Sequence, residues 1–322
     1  MRTPLRRLAR AASITTALLG ALSTASAQNG KPTRADLLVT SDWLATQLKD
    51  PKLVLLHVGE KPGYEQEHIP GARFIELQDI STPPTMDTTV LALEMPSADK
   101  IRAAFERFGI SDDSRVIVYY GNDWVSPSTR VLLTLQYLGL GTRASLLDGG
   151  LPEWKKGNHP VTAEAPAAAK VGTITPKPTA PVIADAEFVK AHINTPGYKI
   201  IDARNTMFFD GPIQRPTGTM ANGMPRRPII PNHVPGAANI VFETVFDETN
   251  HLLPEAQLRE LFTKAGVKPN DKLIAYCHIG QQATVIVYAA RTLGYDVQLY
   301  DGSFQDWQMR KLPVESSRKD DK

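Results

Sequence analysis

A single cysteine stands among 322 residues, in the stretch Lys272-Leu-Ile-Ala-Tyr-Cys277-His-Ile-Gly280-Gln-Gln-Ala-Thr284. A thiol reacts as its thiolate, so a nucleophilic cysteine needs surroundings that favour negative charge. The flanking pattern predicts such surroundings. The apolar run Leu273 to Tyr276 reads as a buried parallel strand, and Gly280 to Leu293 reads as a helix. Cys277 then falls in the tight turn between a strand's carboxyl end and a helix N-terminus. Backbone N–H groups converge there and the helix dipole favours an anion, so this thiol should ionise more readily than a free cysteine. The plainer reading is a buried, inert cysteine. His278 could add partial positive charge or move a proton at about pH 6 to 7, or could simply point outward from the loop.

The elements that hold this turn occur twice. Leu53-Val-Leu-Leu-His-Val58 parallels Tyr198-Lys-Ile-Ile-Asp-Ala203, and His68-Ile-Pro-Gly-Ala72 parallels His233-Val-Pro-Gly-Ala237. The helical stretches 101–109 and 258–266 both close on glycine, at Gly109 and Gly266. Arg115-Val-Ile-Val-Tyr-Tyr120 parallels Lys272 to Cys277, and Leu147-Asp-Gly-Gly-Leu-Pro-Glu-Trp154 parallels Tyr300-Asp-Gly-Ser-Phe-Gln-Asp-Trp307. Matches in one order along both halves identify a tandem duplication. Strands alternate with helices in each copy, so the fold class is α/β: two tandem units, each a mainly parallel sheet with helices on both faces. Ligands in such folds sit at the carboxyl ends of strands, where Cys277 falls. Tyr120 takes its place in the first copy, which therefore lacks the nucleophile and is expected to pack against the second copy and wall its cleft.

The expected divisions are a signal peptide over 1–27, a first unit over 28–161, a linker rich in Ala and Pro over 162–181, and a second unit over 182–322. A basic start with Arg2, Arg6, Arg7 and Arg10 precedes an apolar run, Ala11 to Ala21, and a small-x-small site, Ala25-Ser26-Ala27. The run is far short of the ~20 residues of a spanning helix. Export to the periplasm or medium is expected, with Gln28 as the mature N-terminus and no membrane attachment after cleavage. The net charge of +2 includes those four arginines; without them 32 basic residues face 34 acidic ones, and no nucleic-acid-binding surface is implied. One cysteine excludes an internal disulfide.

The two His-x-Pro-Gly-Ala stretches, the two Asp-Gly-x-x-x-x-Trp stretches and Tyr276-Cys-x-x-Gly-x-x-Ala-Thr284 together resemble the tandem-domain rhodanese family, the thiosulfate and 3-mercaptopyruvate sulfurtransferases. The resemblance covers nearly all of the chain after residue 27. It implies that Cys277 takes the outer sulfur of a small anionic donor as a persulfide and passes it to a thiol or cyanide acceptor. Thiosulfate is favoured as the donor, with 3-mercaptopyruvate the other choice. The loop His278, Ile279, Gly280, Gln281, Gln282 and Ala283 would hold the anionic sulfur. No metal or organic cofactor is implied, and a monomer or weak oligomer is expected. Related folds house phosphatases with a Cys-x5-Arg loop, but that arginine would fall at Ala283, which disfavours the chemistry.

Two departures from the family bear on the donor. Asp202-Ala-Arg204 matches the family's strand end, but the donor-binding arginine four residues on is replaced by Phe208. Positive charge must then come from elsewhere. Arg204 and, within the Pro/Gly-rich insertion 211–231, Arg215, Arg226 and Arg227 are the candidates, against a plain solvated loop. His278-Ile279 also matches neither the basic pattern of thiosulfate-specific members nor the small hydroxyl pattern of mercaptopyruvate-specific ones. Asp148 and Asp301 are expected to cap the helices after them, and Trp154 and Trp307 to fill cores. Trp124 either packs between the copies or lines the cleft. Competing functions are a low-turnover persulfide carrier and a thiol redox sensor.

Overall fold

The computed structural model describes residues 31–82, 90–121, 124–175, 181–215, 219 and 228–316. The signal-peptide expectation over 1–27, and Arg226 and Arg227, lie outside the described residues. The first copy runs α1 (Arg34–Leu37), β1 (Leu38–Val39), α2 (Ser41–Gln47), β2 (Leu53–Val58), α3 (Lys61–Gln66), β3 (Arg73–Ile75), α4 (Ala98–Arg107), β4 (Arg115–Tyr120), α5 (Val125–Tyr137), β5 (Ala144–Leu147) and α6 (Gly150–Lys156). The second runs β6 (Ile183–Ala184), α7 (Ala186–Ala191), β7 (Tyr198–Asp202), α8 (Thr206–Phe209), β8 (Ala238–Asn239), α9 (Glu255–Lys264), β9 (Lys272–Tyr276), α10 (Ala283–Thr292), β10 (Asp296–Tyr300) and α11 (Ser303–Met309).

Each copy builds one five-stranded sheet, in the orders β1-β5-β4-β2-β3 and β6-β10-β9-β7-β8, and the strand pairs are parallel. The duplication extends to register. His57 pairs with Tyr119 as Asp202 pairs with Tyr276, so the next positions, Tyr120 and Cys277, are equivalent. Local signals set the helix ends: Thr40 accepts from the Trp43 N–H at 3.2 Å and Asp185 from the Phe188 N–H at 2.8 Å. Gly109 and Gly266, with φ of 74° and 79°, end α4 and α9 in the left-handed conformation that glycine adopts without strain. The linker carries no helix or strand in its described part, yet it is pinned down: the Gly172 and Ile174 N–H groups donate to the Glu106 carbonyl and carboxylate.

The alternation of side chains along a strand decides where the cysteine goes. In β4, Val116, Val118 and Tyr120 enter one core while Ile117 and Tyr119 enter another. In β9, Leu273 and Ala275, and Cys277 after them, enter the same core as Val116, while Ile274 and Tyr276 point away. That shared core joins the two copies, with α5 packed on α10. Thr129 and Thr284 share a hydrogen bond of 2.7 Å at this seam, and the Tyr288 hydroxyl donates to the Leu37 carbonyl and accepts from the Leu146 N–H. Period-two alternation therefore sends Cys277 into the junction. Among the described residues no helix is long and apolar enough to cross a membrane.

Candidate active site

Cys277 directly follows β9 and is 0% exposed. The residues after it do not start the helix at Gly280, as the pattern predicts; α10 begins at Ala283. The delay has a backbone cause. Gly280 has φ of 81°, outside helical space, and a Cβ there would run into the Asp301 carbonyl oxygen. Residues 277–282 are thus a free-standing loop rather than a first turn.

This loop is held by its carbonyls. The Cys277 carbonyl accepts from the Phe304 N–H and the His278 carbonyl from the Gln305 N–H, both at 3.0 Å. The Gly280 carbonyl accepts from Arg130 Nη1 at 3.3 Å. The Cys277 N–H donates to Ser303 Oγ at 3.2 Å, and Ser303 donates in turn to the Tyr300 carbonyl at 2.8 Å. The amides that follow are different. The backbone N–H groups of His278, Ile279, Gly280, Gln281 and Gln282 find no protein acceptor among the described residues. Five successive donors beside a thiol, with their carbonyls anchored to α11 and α5, form an array suited to an anion.

Ser303 is a residue that sequence reading passes over. It has φ of 52°, and its counterpart Gly150 has φ of 57°. In the first copy the Tyr120 ring fills the space that a Cβ at Gly150 would need. In the second copy the small Cys277 leaves room for a hydroxyl. The paired change, Tyr120 with Gly150 against Cys277 with Ser303, is visible in the aligned repeats.

Arg204 proves to be structural, which corrects its candidacy as a donor ligand. Its side chain is 3% exposed; Nε lies 3.0 Å from both Asp202 oxygens, and Nη2 donates to Asp202 Oδ2 and to the Asn232 carbonyl, each at 2.6 Å. The Tyr276 hydroxyl donates to the same carboxylate at 2.6 Å. The guanidinium lies 4.0 Å over the Phe304 ring, whose own N–H holds the Cys277 carbonyl. Arg204 thus supports the loop from behind. Arg215 is exposed, and an antiparallel bridge between Gln214 and Ile229 closes the base of the insertion. Phe208, at the root of that insertion, sets its ring edge-on to His278 with centroids 4.5 Å apart.

That packing also corrects the expectation for His278. Burial first, and the nearby Arg204 guanidinium second, lower its pKa from 6.5 to about 4. The ring is therefore neutral at pH 6 to 7 and does not supply the partial positive charge offered as one of its two roles. Asp148 and Asp301 depart from expectation too. Neither α6 nor α11 has a side-chain cap. Asp148 instead accepts from the Leu252 N–H at 2.9 Å, and Asp301 from the Met95 N–H at 2.6 Å. Each aspartate reaches into the other copy. Trp154 and Trp307 are fully buried, with indole N–H groups bound to the Pro160 and Pro313 carbonyls.

The first copy also touches the loop after Cys277. Gln281 Nε2 donates to Ser126 Oγ at 3.2 Å. Gln281 borders a cleft of about 480 Å³ with Val58, Ile75 and Trp124. Trp124 is 61% exposed and its ring lies 6.0 Å from that of Phe242, so it lines the cleft and contacts the other copy at once. Apart from Gln281 the walls of the cleft belong to the first copy, at the carboxyl ends of β2 and β3, the kind of place where small molecules bind in open α/β folds.

A profile of the rhodanese-like domain matches residues 40–157 and again 185–310. The chain belongs to the rhodanese-like family. Both copies are rhodanese-like units, and only the second carries a cysteine at the end of its central strand. Among curated relatives, this rhodanese is similar to the mitochondrial thiosulfate/3-mercaptopyruvate sulfurtransferase 1 of Arabidopsis thaliana, at 29% identity over 91% of the chain and 80% of the relative. It is equally similar, at 29%, to a probable 3-mercaptopyruvate sulfurtransferase of Pseudomonas aeruginosa, covering 84% of the chain and 94% of the relative. Among solved structures, an anaerobic ergothioneine biosynthesis enzyme from Chlorobium limicola superposes with a TM-score of 0.71 at 17% identity, over 88% of this chain and 71% of that one. The structure of YnjE gives 0.72 at 22% identity, over 88% and 69%. At those identities the likeness concerns the fold.

Proposed function

We propose that this rhodanese-type sulfurtransferase carries sulfane sulfur on Cys277, taking it from thiosulfate by preference, or from 3-mercaptopyruvate, and giving it to a thiol or cyanide. The observation that carries this reading is the row of five unpaired N–H groups directly after the cysteine. In the first step the Cys277 thiolate attacks the outer sulfur of the donor. A new S–S bond forms, the donor's bond to that sulfur breaks, and sulfite leaves with the electron pair; from mercaptopyruvate the product is pyruvate after a proton is taken up. In the second step the acceptor attacks the same sulfur and Cys277 leaves as thiolate. The amide row suits this cycle because the persulfide is an anion in a site whose donors are already oriented.

A second reading, a persulfide carrier with little turnover, is favoured by one feature. Phe208 replaces the family's donor arginine, and Arg204 beside it is held by Asp202. Arg215, Arg226 and Arg227 are the cations left to meet an anionic donor, in an insertion that starts three residues after Phe208. A redox-sensing role fits less well with a thiol that is 0% exposed.

Mass spectrometry after treatment with thiosulfate, 3-mercaptopyruvate or polysulfide tests the chemistry. One added sulfur atom is expected on the native chain and none on Cys277→Ser; no uptake from any of the three donors would defeat the proposal. Turnover of thiosulfate with cyanide separates enzyme from carrier. The basic and apolar start, with Ala25-Ser26-Ala27 behind it, supports export. N-terminal sequencing of the periplasmic fraction should begin at Gln28.

A further inference from the structure

A cavity of about 490 Å³ lies at the far end of the second sheet from Cys277. It opens beside the amino ends of β9 and β10 and the last turn of α10. The ten residues of α10 span about 15 Å and separate this cavity from the catalytic loop. Phe188, Tyr198 and Tyr295 form apolar walls, and Lys272 and Arg291 face in from β9 and α10.

Arg291 is the unusual member. It is 9% exposed, yet among the described residues no carboxylate pairs with it. Its one recorded hydrogen bond, Nη2 to the Gly141 carbonyl, is long at 3.4 Å. Burial pushes its pKa down to about 10, which still leaves it charged at neutral pH. Buried charges are ordinarily paired, because desolvation without a counter-ion is costly. The carbonyl end of α10 offers this guanidinium a partial negative charge, but not a full one. The other charges at the cavity do not supply it. Asp296 is taken by Lys31 at 2.7 Å, and Lys272 adds a further cation, 5.7 Å from the Tyr198 ring centroid. Gln136 borders the same space, and its Oε1 is buried without a partner. Rotating that amide by 180° would present its NH2 group instead.

We infer that this cavity is a second anion site, built to take a small carboxylate or sulfonate with a flat apolar body. The anionic head would meet Arg291 and Lys272, and the body would lie against Tyr198, Tyr295 and Phe188. Its volume lies within the range of small-molecule pockets. The separation along α10 makes it independent of the donor site at Cys277.

Benzoate and benzenesulfonate, with neutral benzamide as the isostere, test the proposal by calorimetric titration of the mature chain. Both anions should bind at least about tenfold more tightly than benzamide. Arg291→Met should remove most of that preference. Lys272→Gln, at an exposed position, should weaken it as well and serves if the first variant does not fold. Benzoate affinity should be unchanged in Cys277→Ser. Equal binding of benzoate and benzamide, wild-type affinity in Lys272→Gln together with Arg291→Met, or competition between benzoate and thiosulfate would each overturn the inference.

Discussion

Arg130 of the first copy and Asp301 of the second form an ion pair from which water is shut out, with side-chain exposures of 0% and 6%. The same arginine donates to the Gly280 carbonyl of the catalytic loop and to the Leu93 carbonyl, and the same aspartate accepts from the Met95 N–H. One contact therefore fastens the two copies together and fixes the loop that follows Cys277.

Removing either partner alone leaves a buried charge unpaired, which typically costs about 3–5 kcal/mol. Arg130→Met and Asp301→Asn should each lower stability by that order in urea denaturation. The double variant should lose less than the two losses added together. Equal and additive losses would mean that the pair is not coupled. Arg130→Met should also slow sulfur transfer although Arg130 is fully buried.

Ser303 is expected to act on the reaction through Cys277. Ser303→Ala deletes the acceptor for the Cys277 N–H and frees that amide to turn. Losing one such neutral hydrogen bond amounts to about 1 kcal/mol, or roughly fivefold in kcat. The donor KM should hardly move. Ser303→Gly relieves the positive φ of this residue but lacks the same oxygen, so it should be as slow as Ser303→Ala. A variant that changed KM alone would contradict this role.

The pH behaviour follows from two histidines. His278 and His57 both have pKa values lowered to about 4, burial being the first cause in each and His68 adding to it at His57. In the unfolded chain both titrate near the usual value of about 6.5. Between those values the unfolded state binds more protons, so acidification through that window must destabilise the fold. The midpoint of thermal unfolding should fall as pH drops from about 6.5 to about 4, and His57→Phe should flatten that slope. Activity above pH 6 should show no limb due to His278, and His278→Asn should leave the shape of the pH–rate profile unchanged there.

The turn around Cys277 is legible in sequence because its causes are local: an apolar run, one glycine and an amphipathic stretch. The duplication is legible because the landmarks recur in order, and it even predicts Tyr120 as the residue equivalent to Cys277. What escapes is decided by distant partners. Arg204 resembles a substrate ligand until Asn232 and Asp202 close on it. The caps expected of Asp148 and Asp301 fail because their acceptor oxygens meet Leu252 and Met95, more than a hundred residues away. His278 looks free to titrate until Phe208 and the loop's own burial remove water from it. The helix start is misplaced by three residues because Gly280 answers to the neighbouring Asp301 backbone, not to its own helix.

Cys277 itself is sealed from solvent, and that has a consequence for traffic through the site. A bound sulfur lengthens the side chain by one S–S bond, about 2.05 Å. The carrier atom can stay buried while its load lies one bond farther out. Bulky alkylating agents should then meet little of the resting thiol, whereas an acceptor need only reach the projecting atom. Access is thereby granted to the cargo and withheld from the hand that holds it.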